Sequence, residues 1–245
     1  MIFDKKLPHA FRLLAFDLDG TLTQHKSKLD KEAAAALSAL AEKYRLLMVG
    51  AGSCRRIFEQ MNRFPLDIIG NYGMESAVYD PESGDIRISA DPPVPCDKDL
   101  QNARAARLRE KYGFTDYAGD SVEFHASGCV TFAILGTAAQ LPEKLAFDPD
   151  RSRRRAILDE VRAEFSDFNV FVGGTSSFDM TPGHYDKYHA LDRYCREQGF
   201  GHDEVLFFGD DFGPGGNDES VYLSDIAFYP VTDYREFPEI AKQFF

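Results

Sequence analysis

Tryptophan is absent from the 245-residue sequence, and cysteine is scarce. The four cysteines lie far apart, and none belongs to a Cys-x-x-Cys pair: Cys54, Cys96, Cys129 and Cys195. This spacing argues against a disulfide framework and a structural zinc site, and it is typical of a reducing compartment. Because tryptophan is absent, any aromatic core must be built from the 21 phenylalanines and 11 tyrosines.

The sequence also lacks any apolar run of the about 20 residues that a membrane-spanning helix requires. Its first twelve residues mix charged and apolar side chains, without the apolar core of a signal peptide. We therefore expect a cytoplasmic protein that has no membrane partner.

Basic residues are outnumbered: 28 lysines and arginines stand against 40 aspartates and glutamates, and the net charge is −12. Because this balance repels a phosphate backbone, we expect no nucleic-acid partner. The densest basic cluster, at residues 151–155, is flanked by acids, and we interpret it as a solvated helix face. Hydrophobic residues make up 44% of the chain, which is enough for a sizeable core.

Apolar strands and amphipathic helices alternate at both ends of the sequence. Residues 13–16 and 46–49 are short apolar runs typical of buried strands, and residues 31–44 between them have helical spacing. The alternation returns later, with a helix at residues 187–198 and a strand at residues 205–208. Strand–helix–strand units imply parallel pairing, so we predict an α/β fold with a Rossmann-like parallel sheet.

The middle of the chain has a different pattern. Residues 76–79 and 86–89 flank a turn-forming segment, and residues 122–124 and 130–135 flank another, as in two β-hairpins. We therefore predict a core domain formed by residues 1–81 and 185–245, interrupted by an α+β domain at residues 82–184.

Polar clusters follow three of the predicted parallel strands. The clusters contain Asp17, Asp19, Gly20 and Thr21 after the first strand, Gly50, Gly52 and Ser53 after the second, and Asp210, Asp211 and Asp218 after a later one. Ligands of open parallel sheets bind beyond the carboxyl ends of the strands. We therefore expect one site formed by these clusters and by Lys187, which begins the helix between them.

Carboxylates that share one crevice repel each other unless cations lie among them. Carboxylate oxygens suit Mg²⁺, so we predict a Mg²⁺ cofactor. A lysine at the start of a helix is unfavourable unless an anion is near, which suggests that Lys187 faces one. A phosphate ester would complete the balance, with a carboxylate as the nucleophile that forms an aspartyl-phosphate.

These residues resemble the haloacid dehalogenase superfamily of phosphotransferases. The resemblance rests on Asp17-Leu18-Asp19-Gly20-Thr21 after an apolar strand, on Lys187 and on the later Gly-Asp and Asn-Asp cluster, and it spans the whole chain. The inserted segment is similar to the cap of subfamily IIB. Residues 177–187 and 207–219 look like those of eukaryotic-type phosphomannomutases.

The resemblance implies a role for each candidate residue. Asp17 is the implied nucleophile, Asp19 the general acid and base, and Lys187 the bridge between nucleophile and phosphate. The implied metal ligands are Asp17, the Asp19 carbonyl and Asp210, and Asp218 would hold either a metal-bound water or the metal itself. The implied phosphate-binding residues are Gly52, Ser53 and Thr21. The substrate-binding candidates in the cap are Asp179 and His125.

The cap departs from phosphomannomutases at two arginine positions, which are His125 and Thr137 here. Because the planar arginine fork matches phosphate oxygens, its loss weakens a second phosphate site. We therefore predict a phosphatase of small phosphorylated metabolites such as sugar phosphates. A phosphohexomutase and a non-catalytic sugar-phosphate binding protein are the alternatives. We expect a monomer or a homodimer formed through the caps.

Overall fold

The computed structural model describes residues 10–245, and the prediction about a signal peptide lies mainly outside them. The chain divides into two compact units. The first contains the residues up to Asp91, Asp186–Gly213 and Asp218–Phe245, and the second contains Pro92–Tyr185 and Pro214–Asn217. Among residues 10–245, no helix is both long and apolar enough to cross a membrane.

Strands and helices alternate along most of the described chain. The strands are β1 (Leu13–Phe16), β2 (Arg45–Val49), β3 (Asp67–Gly70), β4 (Glu75–Asp80), β5 (Asp85–Ala90), β6 (Val122–Phe124), β7 (Val130–Ala133), β8 (Phe168–Phe171), β9 (Ser177–Pro182), β10 (Val205–Gly209) and β11 (Ala227–Pro230). The α-helices are α1 (Lys31–Ala41), α2 (Cys54–Gln60), α3 (Lys98–Tyr112), α4 (Leu141–Phe147), α5 (Ser152–Arg155), α6 (Leu158–Glu164), α7 (Lys187–Gln198), α8 (Glu219–Tyr222) and α9 (Phe237–Ala241). Short 3₁₀ helices span Asn71–Gly73, His202–Glu204, Tyr234–Glu236 and Lys242–Phe244.

The first unit is built on a seven-stranded sheet with the order β11-β10-β1-β2-β3-β4-β5. The interior strand β1 pairs in parallel with β2 and β10, so the carboxyl ends of these three strands share one edge. Alternate residues of β1 enter two separate cores, with Phe16 in one and Leu13 in the other. Burial on both faces explains why β1 is a continuous apolar run. The predicted α/β fold with a parallel sheet is confirmed.

The boundary between the units lies ten residues later in the structure than the sequence suggests. The predicted cut before residue 82 falls in the turn between β4 and β5. In the structure β5 pairs antiparallel with β4 from Asp85 to Ala90 and forms the edge of the seven-stranded sheet. A hairpin pattern does not show which sheet the hairpin joins, so the sequence alone does not place β5 in the first unit.

The second unit has an antiparallel four-stranded sheet with the order β6-β7-β9-β8. Its core is aromatic, as the lack of tryptophan requires: Phe132 stacks on Phe178 with ring centroids 6.3 Å apart, and Phe165 packs beside Phe132. This unit is the predicted inserted α+β domain. Helix α4 was not predicted, and none of its residues is buried.

The basic cluster at residues 151–155 differs from its prediction. Most of the cluster forms the short helix α5, which is separate from α6. Within the cluster Arg153 is exposed, but Arg154 is only 1% exposed. The interpretation as a solvated helix face is wrong for Arg154, because the Asp148 carboxylate and several backbone carbonyls bind its guanidinium in the interior.

Candidate active site

A buried lysine connects two carboxylates at the carboxyl edge of the seven-stranded sheet. Lys187 begins α7, Asp17 follows β1, and Asp218 directly precedes α8. The Lys187 ammonium donates to Asp17 Oδ1 at 2.6 Å and to Asp218 Oδ1 at 2.7 Å. The side chains of Lys187 and Asp218 are fully buried, and that of Asp17 is 7% exposed. The fold therefore brings three predicted site residues into direct contact.

Burial and charge together change the proton affinities of this trio. Burial raises the pKa of Asp17 to about 6, and the Asp218 carboxylate acts in the same direction while Lys187 opposes both. Burial alone would lower the pKa of Lys187, but the charges of Asp17 and Asp218 outweigh it and raise that pKa. Lys187 is therefore held as a cation between two buried carboxyl groups.

Asp210 completes an acidic cluster. One carboxylate oxygen from each of Asp17, Asp210 and Asp218 lies within 4.8 Å of the others. Asp210 accepts a hydrogen bond from the Thr21 hydroxyl at 3.2 Å. Gly20 has a φ of +108° and lies so close to Asp210 that a Cβ would come within 2.5 Å of its carboxylate. The cluster is an all-oxygen donor set, and such a set fits a hard divalent cation.

The Asp19 carboxylate has a different set of partners. Its Oδ1 accepts from Gln60 Nε2 at 2.6 Å and from the Lys26 backbone amide at 2.7 Å, and its Oδ2 lies 3.4 Å from Arg56 Nη1. Arg56 also donates to Gln60 Oε1 at 2.7 Å. Sequence reasoning missed Gln60 and Arg56, although their four-residue spacing on α2 places them on one face of that helix.

Gly52 and Ser53 connect β2 with α2. The Ser53 hydroxyl accepts from the Arg56 backbone amide at 3.3 Å and caps α2, and the Gly52 carbonyl accepts from the Asn71 amide at 2.8 Å. Because β2 pairs in parallel with β1, both residues lie at the same sheet edge as Asp17. Phosphate binding by Gly52, Ser53 and Thr21 stays a prediction.

A threonine links the two substrate-binding candidates of the second unit. Thr131 on β7 is directly opposite Asp179 on β9. The Thr131 hydroxyl donates to Asp179 Oδ1 at 3.2 Å and lies 3.1 Å from His125 Nε2. Sequence reasoning missed Thr131, since only the strand register shows that it is paired with Asp179. The three side chains form a polar row, which we call the cap row.

Comparison with known sequences finds phosphomannomutases both by family model and by individual relatives. A model of the eukaryotic phosphomannomutase family matches residues 114–233. A probable phosphomannomutase from Caenorhabditis elegans is 25% identical over 231 residues, which cover 87% of each chain. Phosphomannomutase 1 from Mus musculus is 26% identical over 225 residues, which cover 86% of this chain and 82% of the mouse protein.

Solved structures share the fold at low identity. The IMP-bound, N-terminally truncated IMP-nucleotidase from Plasmodium falciparum has a TM-score of 0.71 and 13% identity, covering 96% of this chain and 68% of that chain. A trehalose-6-phosphate phosphatase related protein has a TM-score of 0.51 and 18% identity, covering 94% of this chain and 96% of its own.

The fold is that of haloacid dehalogenase phosphatases, and together with the buried Asp17–Lys187–Asp218 trio and the sequence relatives it supports a phosphoryl-transfer enzyme. In sequence the chain is similar to eukaryotic phosphomannomutases, and it shares its fold with phosphatases and nucleotidases.

Proposed function

We propose that this protein hydrolyses small phosphorylated metabolites, above all sugar phosphates, in a reaction that depends on Mg²⁺. The observation that carries the proposal is the buried Lys187, which binds both Asp17 and Asp218. A carboxylate and a phosphate dianion repel each other, and a fixed cation beside Asp17 reduces this barrier to attack. The same trio supports catalysis over passive binding, because passive binding needs no buried nucleophile.

In the proposed reaction an Asp17 oxygen attacks phosphorus and the bond from phosphorus to the ester oxygen breaks. Asp19 donates a proton to the departing oxygen, so that the alcohol leaves neutral. Asp19 then accepts a proton from water while the water oxygen attacks the aspartyl-phosphate, which releases inorganic phosphate and restores Asp17. Lys187, together with Gly52, Ser53 and Thr21, would hold the phosphoryl oxygens.

The residues that would hold Mg²⁺ are Asp17, the Asp19 carbonyl, Asp210 and Asp218. Asp218 is firmly oriented, because its Oδ1 accepts from Lys187 and its Oδ2 accepts from the Asp211 amide at 3.0 Å. Thr21 orients Asp210 in the same way. When bound, Mg²⁺ supplies positive charge that offsets the carboxylates and the phosphate.

The second unit supports a preference for hydroxylated substrates. The cap row offers the hydroxyl-binding groups of His125, Thr131 and Asp179. The positions that carry phosphate-binding arginines in phosphomannomutases are His125 and Thr137 here. Without these guanidinium forks a second phosphate is bound weakly, which supports a phosphatase over a mutase.

Phosphomannomutase activity is the second candidate. It is supported by the similarity to phosphomannomutases over 86–87% of this chain. Mannose 1-phosphate, supplied with its bisphosphate activator and Mg²⁺, separates the two activities. If mannose 6-phosphate forms faster than free phosphate, the mutase assignment is correct.

A phosphate-release screen over phosphorylated metabolites in the presence of Mg²⁺ tests the proposed function. We expect sugar phosphates to release phosphate with a higher kcat/KM than an aryl phosphate that lacks hydroxyl groups. If sugar phosphates bind but no compound in the panel releases phosphate, the protein is a binding protein and the proposal is wrong.

We further propose that the protein acts in the cytoplasm, as a monomer or as a homodimer formed through the second unit. Sedimentation at several protein concentrations distinguishes a monomer from a dimer. A dimer that persists when exposed residues of the second unit are substituted would contradict dimerisation through that unit.

A further inference from the structure

Arg154 is an arginine buried in the interior of the second unit, with 1% of its surface exposed. Its Nε donates to Asp148 Oδ2 at 2.8 Å, and the Asp148 side chain is fully buried. The backbone amides of Arg153 and Arg154 also donate to this carboxylate, at 3.0 and 3.1 Å. Burying an ion pair costs desolvation free energy, and its geometry must compensate for that cost. The groups that the Arg154–Asp148 pair binds therefore show which part of the second unit it holds in place.

The guanidinium of Arg154 holds the segment between β8 and β9. Its Nη1 donates to the carbonyl of Gly173 at 2.5 Å, to that of Ser177 at 3.0 Å and to that of Gly174 at 3.3 Å. A single planar group thus fixes three carbonyls of the loop that leads into β9. An ammonium group lacks this fork and cannot reproduce the arrangement.

The loop held by Arg154 lies directly against Asp179 of the cap row. A Cβ built on Gly173 would overlap the Asp179 carboxylate, so this carboxylate packs on the bare Cα of Gly173. The Asp179 charge also interacts electrostatically with Arg154. The position of the Gly173 backbone therefore sets the position of the Asp179 carboxylate.

The remaining nitrogen of the Arg154 guanidinium, unlike Nε and Nη1, has no hydrogen-bond partner among the described residues. This nitrogen, Nη2, is buried. An unsatisfied buried donor of a charged group is unfavourable, and structural arginines are normally fully bonded. A purely structural role leaves this donor unexplained, and the charge of the group that carries it interacts with Asp179 of the cap row.

We propose that Arg154, anchored by Asp148, is a positioning residue that fixes the Asp179 carboxylate of the cap row for the recognition of substrate hydroxyl groups. This inference rests on the proposed function, and it adds a specificity-determining group that lies beneath the cap row and does not touch the substrate. Arg154 acts through the Gly173 backbone and through its own charge.

The test compares KM for a sugar phosphate with KM for p-nitrophenyl phosphate, which has no hydroxyl groups. The main variant is the double substitution Arg154→Met with Asp148→Leu, which leaves no unpaired buried charge. We expect KM for the sugar phosphate, divided by KM for p-nitrophenyl phosphate, to rise about tenfold or more. The reason is that charge-assisted hydrogen bonds from Arg154 hold the loop between β8 and β9. Arg154→Lys keeps the positive charge but lacks the planar fork, so it should raise this ratio less than the double variant does. Arg153→Met, an exposed substitution in the same helix, should leave it unchanged.

A second variant keeps the inference testable if the double variant does not fold. Gly173→Ala leaves the Arg154–Asp148 pair intact but displaces the Asp179 carboxylate, and it should raise the same ratio. The inference is overturned if folded variants, judged by their melting temperatures, keep the wild-type ratio. If the wild-type protein releases phosphate from neither substrate, the proposed function fails instead, so the two failures are distinguishable.

Discussion

The Lys187 ammonium lies 2.6 Å from Asp17 Oδ1, although 170 residues separate the two in the sequence. Both residues belong to the first unit, and the whole second unit except a short loop lies between them in the chain. The site therefore exists only when both ends of the chain have folded together. Stability of the core and integrity of the active site are consequently linked through one buried cation.

Removing the lysine charge should destabilise the core. Lys187→Met leaves the Asp17 and Asp218 carboxylates buried without their shared partner, and we expect a loss of about 3–5 kcal/mol in the free energy of unfolding. Urea denaturation followed by circular dichroism measures it. Lys43→Met, at an exposed lysine of the same unit, is the matched control. Equal stabilities of the two variants would show that Lys187 does not neutralise the buried carboxylates.

Metal removal should stop phosphate release reversibly. A chelator is expected to abolish activity, and added Mg²⁺ is expected to restore it. Asp210→Asn weakens the oxygen cluster, so the Mg²⁺ concentration for half-maximal activity should rise about 10- to 100-fold. Asp203→Asn, at an exposed acid, should not change that concentration. Full activity of the wild-type protein after exhaustive chelation would contradict the metal assignment.

The Asp148–Arg154 pair predicts a pH dependence of stability. Burial opposes ionisation of Asp148, but hydrogen bonds from Arg154 and from two backbone amides outweigh it and lower the pKa of this carboxyl below its ordinary value of 3.8. The unfolded chain therefore binds the proton more readily. The stabilisation is fully present above about pH 5 and is lost as the pH falls through the folded-state pKa.

Thermal unfolding between pH 2.5 and pH 7 measures this dependence. The double variant Arg154→Met with Asp148→Leu has no carboxyl at this site, so its melting temperature should fall less steeply with acid than that of the wild type. Parallel curves for the two proteins would show that Asp148 does not have the lowered pKa.

The proximity of Asp17 and Asp210 could be predicted from the sequence because each of the two follows a buried parallel strand. Asp17 after β1 and Asp210 after β10 must meet, since these strands are neighbours in one sheet. Lys187 could be added because a lysine at a helix start suggests a nearby anion. Strand order and local chemistry, both of which are visible in a sequence, are enough to bring these residues together.

Residues that act through tertiary contacts could not be predicted in this way. Thr131 joins the cap row only through the register of β7 against β9. Arg154 belongs to a run of arginines among acids, which is the usual pattern of a solvated surface, and only the loop carbonyls of β8–β9 reveal its burial. The assignment of β5 to the large sheet likewise depends on pairing across the chain.

The most direct test of the account is phosphate release by the Asp17→Asn variant in the presence of Mg²⁺. The substitution preserves shape and removes the nucleophile, so turnover of every substrate that the wild type hydrolyses should fall by a factor of roughly 10⁴ or more. Circular dichroism should show that the variant remains folded. A folded variant that releases phosphate at a rate near that of the wild type would contradict the assignment of Asp17 and the mechanism built on it.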